Sequence, residues 1–262
     1  MTRLKDSLQQ IREARRASLM AYLCAGDPSI ERSVEGLAAA AAAGADLLEI
    51  GWPFSDPVAD GPVIQAASER ALHHARRADV IRAVAALRAR VQQPIVVLSY
   101  LNPLLAGGRD ETLRELSDAG ADALVIPDLS LEESAPWREA AAAHGLSLTP
   151  FIAPTTGAGR LPQIAQAADG FVYAVALLGV TGSAADEAES ILPVVEALRA
   201  HTKAPVLAGF GIGDAQAAAR WRSRGLDGVI VGSALVAAMA KDGPPGVGRL
   251  VAEIRAGLDS VG

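Results

Sequence analysis

The stretch LMAYLCAGDPSIERSVEGLAAAAAAGADLLEI (residues 19–50) has the pattern of one complete strand–helix–strand unit. An apolar run at Leu19–Cys24 is followed by an alanine-rich helical segment and then by a second apolar run at Asp46–Ile50. Short apolar runs that alternate with longer helical segments are typical of parallel sheets covered by helices. Gly44 is placed to end the helix, because glycine accepts positive φ without steric cost. This unit predicts an α/β fold.

The same alternation continues to the end of the chain and predicts eight strands in all. A weak Gly-x-Asp repeat before the even-numbered strands supports the count. Eight units of about 30 residues fill a chain of this length, so we predict a single (β/α)8 TIM barrel domain over residues 1–262. Residues 2–14 form an extra N-terminal helix in this prediction and plug the barrel floor. The six further strands are Ile95–Ser99, Ala123–Ile126, Ser147–Ile152, Gly170–Val175, Val206–Gly209 and Gly228–Val231.

The amino-acid composition limits the classes of protein to which the chain could belong. Half of the residues are hydrophobic and only 4% are aromatic, so the core must consist mainly of Ala, Val, Leu and Ile. The net charge of −6 has the wrong sign for a protein that binds nucleic acid electrostatically. Cys24 is the only cysteine, which excludes an internal disulfide and fits a reducing compartment. The first residues are polar and no apolar run is long enough to cross a bilayer, so we expect a cytoplasmic protein without membrane contact.

The reacting groups of a barrel enzyme lie at the carboxyl ends of its strands. Glu49 lies near the carboxyl end of the second predicted strand, inside the apolar run that precedes Gly51. An ionised carboxylate buried without a partner costs several kcal/mol, so Glu49 is either a member of a structural salt bridge or a functional group. Burial raises the pKa of a carboxyl group toward neutrality, as a general acid and base requires. We favour the functional reading.

The long loop that follows carries two more carboxylates. Asp60 precedes Gly61-Pro62 at the start of a helix and is either a helix N-cap or a functional residue, and Asp56 before Pro57 is either an Asx-turn or functional. Tyr173 on the sixth strand belongs either to the core or to a substrate-facing wall. These alternatives stay open at the level of the sequence.

Glycine-bearing turns follow the last two strands, at Gly209-Phe-Gly211 and Gly232-Ser233. Barrels commonly bind phosphate at this place, with bare backbone N–H groups and a helix N-terminus as donors, so we favour a phosphate site over simple turns. The small, polar segment Gly179-Val-Thr181-Gly182 after strand six is a candidate lid. None of the four histidines has metal-ligand spacing, and we predict no metal. Cys24 is predicted to be a packing residue.

Eight motifs spread over the whole chain resemble the tryptophan synthase alpha chain family. The segment from Glu49 to Gln65 is the most specific of them. The others are Ala21–Pro28, Tyr100–Pro103, Ile126–Leu129, Ala153–Thr156, Gly179–Gly182, Gly209–Gly211 and Gly232-Ser233. The resemblance implies a lyase of tryptophan biosynthesis that cleaves indole-3-glycerol phosphate to indole and glyceraldehyde 3-phosphate, without a metal or organic cofactor in this chain.

The resemblance also assigns roles to residues. It implies that Glu49, Asp60 and Tyr173 are catalytic and that the phosphate is bound at Gly182, Gly211, Gly232 and Ser233. Thr181 is expected to help hold the candidate lid shut. The resemblance further implies a beta-chain partner that carries pyridoxal phosphate, in an α2β2 assembly. Pro53, Asp56 and Ser130 fall at the expected contact with that partner.

Three places depart from the family pattern. Ala176 replaces a serine after Tyr173, the candidate lid has an acidic run at Asp186, Glu187 and Glu189, and Ser130 replaces a proline at the partner contact. The substitution at Ser130 predicts weaker coupling to the beta chain. Two alternatives therefore stay open: a free-standing lyase that supplies indole to another pathway, and a non-catalytic subunit that activates a beta chain.

Overall fold

The computed structural model of the chain describes residues 2–175 and 190–261. Within those ranges the strands are β1 Ser18–Cys24, β2 Leu47–Gly51, β3 Ile95–Leu98, β4 Ala123–Val125, β5 Ser147–Thr149, β6 Phe151–Ile152, β7 Val172–Ala174, β8 Val206–Ala208 and β9 Gly228–Val231. The α-helices there are α1 Arg3–Glu13, α2 Ile30–Ala42, α3 Pro62–Leu72, α4 Arg77–Arg88, α5 Leu101–Leu105, α6 Arg109–Asp118, α7 Ala135–Ala143, α8 Leu161–Ala167, α9 Leu192–Arg199, α10 Ala215–Ser223 and α11 Ser233–Asp259. A 3-10 turn at Ala158–Arg160 leads into α8, and α11 is kinked at Gly243.

All the strands pair in parallel, in the order β5-β4-β3-β2-β1-β9-β8-β7-β6. The two outermost strands of this sheet, β5 and β6, are separated in the chain by Pro150 alone. Thr149 pairs with Val125 on one side, and Phe151 pairs with Tyr173 on the other. The chain therefore joins the two edges of the sheet, and the predicted (β/α)8 barrel is confirmed.

The predicted fifth strand is one strand divided in two, so the described residues form nine strands by hydrogen bonding instead of the predicted eight. Proline has no N–H to donate, so the strand changes its hydrogen-bonded neighbour at Pro150. We call residues 149–151 the seam of the barrel. The other predicted strands agree with the structure to within two residues at either end.

Helix α1 lies against the lower part of the barrel interior. Leu4, Leu8 and Ile11 are buried on one face of α1 and pack with inward-facing side chains such as Leu47 and Phe171. Gly170 has a φ of +113°, where other residues are strained, and a Cβ atom there would lie only 2.8 Å from Cδ2 of Leu4, so the position favours glycine. The predicted N-terminal helix is confirmed, and it fills the floor of the barrel.

The aspartates of the Gly-x-Asp repeat hold the lower ends of the strands in register. Asp46, Asp122 and Asp227 each accept a hydrogen bond from the first backbone N–H groups of a neighbouring strand, at 2.9 Å from Leu19, 2.8 Å from Ile95 and 2.9 Å from Val206. Arginines neutralise these carboxylates: Arg255 contacts Asp46 at 3.1 Å, Arg3 of α1 contacts Asp122 at 2.7 Å, and Arg199 contacts Asp227 at 3.1 Å. The repeat thus fixes the floor, which leaves the opposite end of the barrel free for loops.

No helix in the described ranges is long and apolar enough to cross a membrane.

Candidate active site

A cavity of about 420 Å³ opens at the carboxyl ends of the strands. Its lining includes the three predicted catalytic residues, Glu49, Asp60 and Tyr173. The predicted phosphate-binding residues Gly211, Gly232 and Ser233 line the same cavity. Residues from five separate parts of the chain therefore meet where the barrel fold places reacting groups.

Glu49 projects from β2 into the barrel, where its strand neighbours in register are Tyr22 and Val96. Its side chain is fully buried, and neither carboxyl oxygen has a hydrogen-bond partner among the residues that the structure describes. No cation among the described residues therefore forms a salt bridge with Glu49. Burial, and secondarily the charge of Asp60, raises the pKa of Glu49 to about 8. A carboxyl group poised near neutrality can both give and accept a proton.

Asp60 reaches the cavity from the loop between β2 and α3. The N-cap residue of α3 is Gly61, so the helix-cap reading of Asp60 is wrong. Burial raises the pKa of Asp60 to about 6, and a hydrogen bond from the Tyr100 hydroxyl counteracts this rise. Asp60 is thus the more acidic of the two carboxyl groups, and it is largely ionised at neutral pH.

Tyr100 is a functional residue that sequence reasoning did not single out, although it stands in a quoted motif directly after β3. Its hydroxyl accepts a hydrogen bond from the backbone N–H of Ala59 at 3.0 Å and also bonds to the side chain of Asp60. Its ring stacks on Phe54 at a centroid distance of 5.3 Å. Tyr100 therefore attaches both ends of the β2–α3 loop to the barrel.

Tyr173 and Tyr22 form part of the cavity wall. Tyr173 packs against Phe151 with ring centroids 5.1 Å apart and covers Gly209, where any Cβ would overlap its ring. This placement favours the substrate-facing reading of Tyr173. Sequence reasoning missed Tyr22, whose ring is seated over Gly51 in the same way. The alternation of β1, which puts Met20 and Tyr22 on the inner face, is the signal that was available.

The candidate phosphate site consists of two turns. Gly211 has a φ of +65°, and nothing lies within 4 Å of where its Cβ would be. Gly232 directly precedes α11, and Ser233 and Ala234 of its first turn line the cavity. The first backbone N–H groups of a helix have no partner within the helix. Bare backbone and a helix N-terminus that converge on one cavity suit an anion.

The remaining predicted residues differ in their exposure to solvent, and some of them lie outside the described residues. Asp56 is exposed and accepts a hydrogen bond from the Ser55 hydroxyl at 2.5 Å, whereas Pro53 is buried within its own chain. Ser130 is exposed, and its Oγ accepts a hydrogen bond from the backbone N–H of Glu133 at 3.3 Å. Thr181, Gly182 and the rest of the candidate lid, with Ala176 and the acidic run, lie outside the described residues.

Cysteine and the possible metal-ligating side chains decide whether the described residues could hold a covalent intermediate or a metal ion. Cys24 is buried, and burial raises the pKa of its thiol to about 12, so this thiol is not an activated nucleophile. In residues 2–175 and 190–261, no three or more His, Cys, Asp or Glu side chains are grouped to hold a metal ion. The described polar groups of the cavity are carboxyl, phenol, hydroxyl and backbone groups, and the carboxyl and phenol groups suit proton transfer.

Replacing Tyr100 by Phe removes the hydroxyl that bonds to Asp60. We expect the pKa of Asp60 to rise above its present value of about 6, because the hydrogen bond lowers it and burial remains. Titration of the Asp60 carboxyl carbon by NMR measures this directly. Tyr22→Phe is the matched control: it removes a phenol from the same cavity, whereas the hydrogen bond that lowers the pKa of Asp60 comes from Tyr100. An Asp60 pKa that is unchanged or lower in Tyr100→Phe would contradict the assignment.

The chain was also compared with known proteins. Residues 8–252 match the family described as "Tryptophan synthase alpha chain". The tryptophan synthase alpha chain of Synechococcus elongatus is 42% identical over 260 residues, which cover 99% of this chain and 98% of that protein. That of Carboxydothermus hydrogenoformans is 45% identical over 237 residues, which cover 90% and 88%.

Solved structures agree with these sequences. Tryptophan synthase subunit alpha from Legionella pneumophila has a TM-score of 0.88 and 35% identity, with 99% of each chain covered. A chain of the aminoacrylate-bound tryptophan synthase from M. tuberculosis has a TM-score of 0.89 and 35% identity, with 98% of this chain and all of that chain covered. On the strength of the sequence match, the barrel and the cavity, this chain belongs to the tryptophan synthase alpha chain family.

Proposed function

We propose that this chain is a lyase that cleaves indole-3-glycerol phosphate to indole and glyceraldehyde 3-phosphate, as the alpha subunit of a tryptophan synthase in tryptophan biosynthesis. One observation carries the proposal. Glu49 is a fully buried carboxyl group, unpartnered among the described residues, with a pKa near 8, and it faces the same cavity as Asp60. A retro-aldol cleavage needs such a group, because one proton must be given and another taken at adjacent atoms.

The reaction divides into two proton transfers, and the carbon–carbon bond breaks together with the second. Glu49 in its protonated form gives its proton to C3 of the indole ring, which leaves positive charge at the ring nitrogen. The carboxylate of Glu49 then takes the proton of the adjacent glycerol hydroxyl. The electrons of that O–H bond form the aldehyde, and those of the carbon–carbon bond return to the ring. Glu49 ends protonated, as it began.

Asp60 and the cavity wall assist these steps. An ionised Asp60 accepts the indole N–H and stabilises the charge that develops on the ring. Tyr100 keeps Asp60 in the ionised form through its hydrogen bond. Tyr22 and Tyr173 enclose the ring and exclude water, which strengthens the electrostatic interactions of both carboxyl groups. In this proposal the substrate phosphate binds at Gly182, Gly211, Gly232 and Ser233, and Thr181 belongs to the lid.

Glu49→Gln keeps the size of the side chain and removes its proton transfer. We expect indole release to fall by at least about 10²- to 10⁴-fold, while an uncleavable analogue with an intact phosphate still binds. The measurement is indole release by the purified chain alone, with analogue binding by calorimetry as the control for folding. Cleavage within about tenfold of the parent would sink the role of Glu49. Indole release by the parent without a partner also counts against the non-catalytic alternative.

Gly211→Leu tests the phosphate site. A side chain at this position projects into open space within the lining of the cavity, so we expect weaker binding of glycerol 3-phosphate. Gly225→Leu is the matched control, because Gly225 also has positive φ (+86°) and open space but does not line the cavity. The backbone strain is therefore similar in the two variants. Affinity for glycerol 3-phosphate is measured by calorimetry. If Gly211→Leu and Gly225→Leu bind it equally well, the phosphate does not bind at Gly211.

The proposal extends to a partner. We place a beta chain, which carries pyridoxal phosphate, against the exposed face that includes Asp56 and Ser130, in an α2β2 assembly of the cytoplasm. Val58, in the same loop as Asp56, is 82% exposed, so an apolar side chain is available on this surface for contact with a partner. Pro53, which is buried, supports that loop from within and does not itself reach the surface.

Ser130→Pro tests how strongly a beta chain activates indole release by this chain. A 3.3 Å hydrogen bond from the backbone N–H of Glu133 to its Oγ holds Ser130, and a proline would restrict the loop in the unbound chain. Ordering such a loop on binding costs about 1 kcal/mol, so we expect the proline variant to be activated more strongly by a cognate beta chain. The measurement is indole release with and without that chain, in parent and variant. Full activation of the parent with no change in the variant would make Ser130 a neutral substitution.

A further inference from the structure

Tyr22 brings to the cavity a hydroxyl group that the fold itself does not use. The residue is 3% exposed and lines the cavity that contains Glu49 and Asp60. Its hydroxyl forms no hydrogen bond with the residues that the structure describes, and its oxygen, unlike those of Glu49, keeps surface that faces the cavity. The hydroxyl of Tyr100, by contrast, is already bonded to the β2–α3 loop. The Tyr22 hydroxyl is therefore free to bind an occupant of the cavity.

The strand register places Tyr22 next to Glu49. The two residues are partners in the parallel pairing of β1 with β2, and both side chains line the cavity. The next inward position on β2 is Gly51, which lies nearer the open end of the barrel. A Cβ atom at Gly51 would overlap both the ring and the hydroxyl of Tyr22. The Tyr22 hydroxyl therefore lies over Gly51, between the Glu49 side chain and the open end.

The other edge of the same ring faces the candidate phosphate site. Its Cδ1 atom is 3.4 Å from the place where a Cβ atom of Gly232 would lie. The ring thus covers the wall between Gly232 and Gly51, with its hydroxyl at the Gly51 end. In the proposed reaction the phosphate binds at Gly232 and C3 of the indole ring lies at Glu49, so the glycerol chain runs along this wall. The reacting hydroxyl, on the carbon next to the indole, comes to the end where the phenol hydroxyl lies.

The phenol of Tyr22 stays protonated while the carboxyl groups titrate. Burial, and secondarily the neighbouring acidic groups of Cys24, Asp60 and Glu49, raises the pKa of the Tyr22 hydroxyl well above its usual value. A neutral phenol has one O–H to donate, and the oxygen of an alcohol can accept it. Tyr22 is thus equipped to donate a hydrogen bond and not to act as a base.

We propose that Tyr22 is a further catalytic residue, whose hydroxyl donates a hydrogen bond to the oxygen of the glycerol hydroxyl that Glu49 deprotonates. This bond orients the substrate O–H toward the Glu49 carboxylate while the carbon–carbon bond breaks. The oxygen becomes that of the aldehyde and still accepts from the phenol, so Tyr22 neither gains nor loses a proton. The inference rests on the proposed function and adds to it a group that recognises the reacting hydroxyl.

Binding of two ligands to the full chain tests this contact. The background is Glu49→Gln, which cleaves indole-3-glycerol phosphate too slowly to interfere, and the comparison ligand is indole-3-propanol phosphate, which lacks both free hydroxyl groups. Adding Tyr22→Phe should weaken binding of indole-3-glycerol phosphate about three- to tenfold, because one hydrogen bond is lost. Binding of the propanol phosphate should not change. Calorimetry that shows no change for either ligand, or equal weakening of both, would overturn the proposal.

Turnover gives a second readout. With Glu49 intact, Tyr22→Phe should lower kcat/KM for indole release by a similar factor at every pH, because the phenol of the parent is protonated throughout. Tyr100→Phe is the matched control for the loss of a phenol: it raises the pKa of Asp60 and should move the acidic limb of the pH profile to higher pH. A shift of that limb in Tyr22→Phe would mean that Tyr22 acts through a carboxyl group. That shift, or an unchanged kcat/KM, would contradict the assignment.

Two further outcomes separate folding and function from this contact. Tyr22→Phe removes no described hydrogen bond, so its Tm should not fall below that of the parent. A lower Tm would mean that the hydroxyl is already bonded in the free protein, and the proposal would fail. If the parent itself releases no indole, the proposed function fails and this inference fails with it. Indole release by the parent, with unchanged kinetics and binding in Tyr22→Phe, refutes the inference alone.

Discussion

The burial of the Glu49 carboxyl group is the constraint on which the site depends. A carboxyl group placed in an apolar barrel with no described cation beside it cannot easily ionise, and its pKa is about 8 for this reason. The same burial makes it reactive, because a group with that pKa exchanges protons at physiological pH. The neighbouring Asp60 has a different environment, with a hydrogen bond from Tyr100, and its pKa is lower. Two carboxyl groups in one cavity thus differ in their affinity for a proton.

The rest of the fold keeps Glu49 at that place. The register of β2 with β1 and β3 sets Glu49 opposite Tyr22 and Val96, and a slip of one residue would turn its side chain outward. The aspartates of the Gly-x-Asp repeat bond to the first N–H groups of neighbouring strands and hold this register at the floor. Helix α1 fills the interior beneath. Stability is therefore provided at one end of the barrel and chemistry at the other.

Much of this could be predicted from the sequence because it depends on local patterns. Alternating apolar runs indicated the barrel, and a charged residue within such a run indicated Glu49. The division of the fifth strand at Pro150 could not be predicted, because the change of neighbour from β4 to β7 depends on how the sheet closes. The roles of Tyr22 and Tyr100 were missed for a similar reason: each depends on contacts with residues distant in the chain, Gly51 and Ala59. The choice between helix cap and functional residue at Asp60 required the backbone of α3.

The central claim is that Glu49 is protonated at neutral pH in the free protein, and titration of its carboxyl carbon by ¹³C NMR tests this most directly. The claim predicts a midpoint well above 4.5, near 8, with the signal assigned by its absence in Glu49→Gln. Because the folded-state pKa is raised, the contribution of Glu49 to stability is fully present below about pH 4.5 and is lost as the pH rises towards 8. A midpoint near 4.5 would mean that the carboxylate is solvated or paired in solution, and it would contradict the assignment of Glu49 as both acid and base.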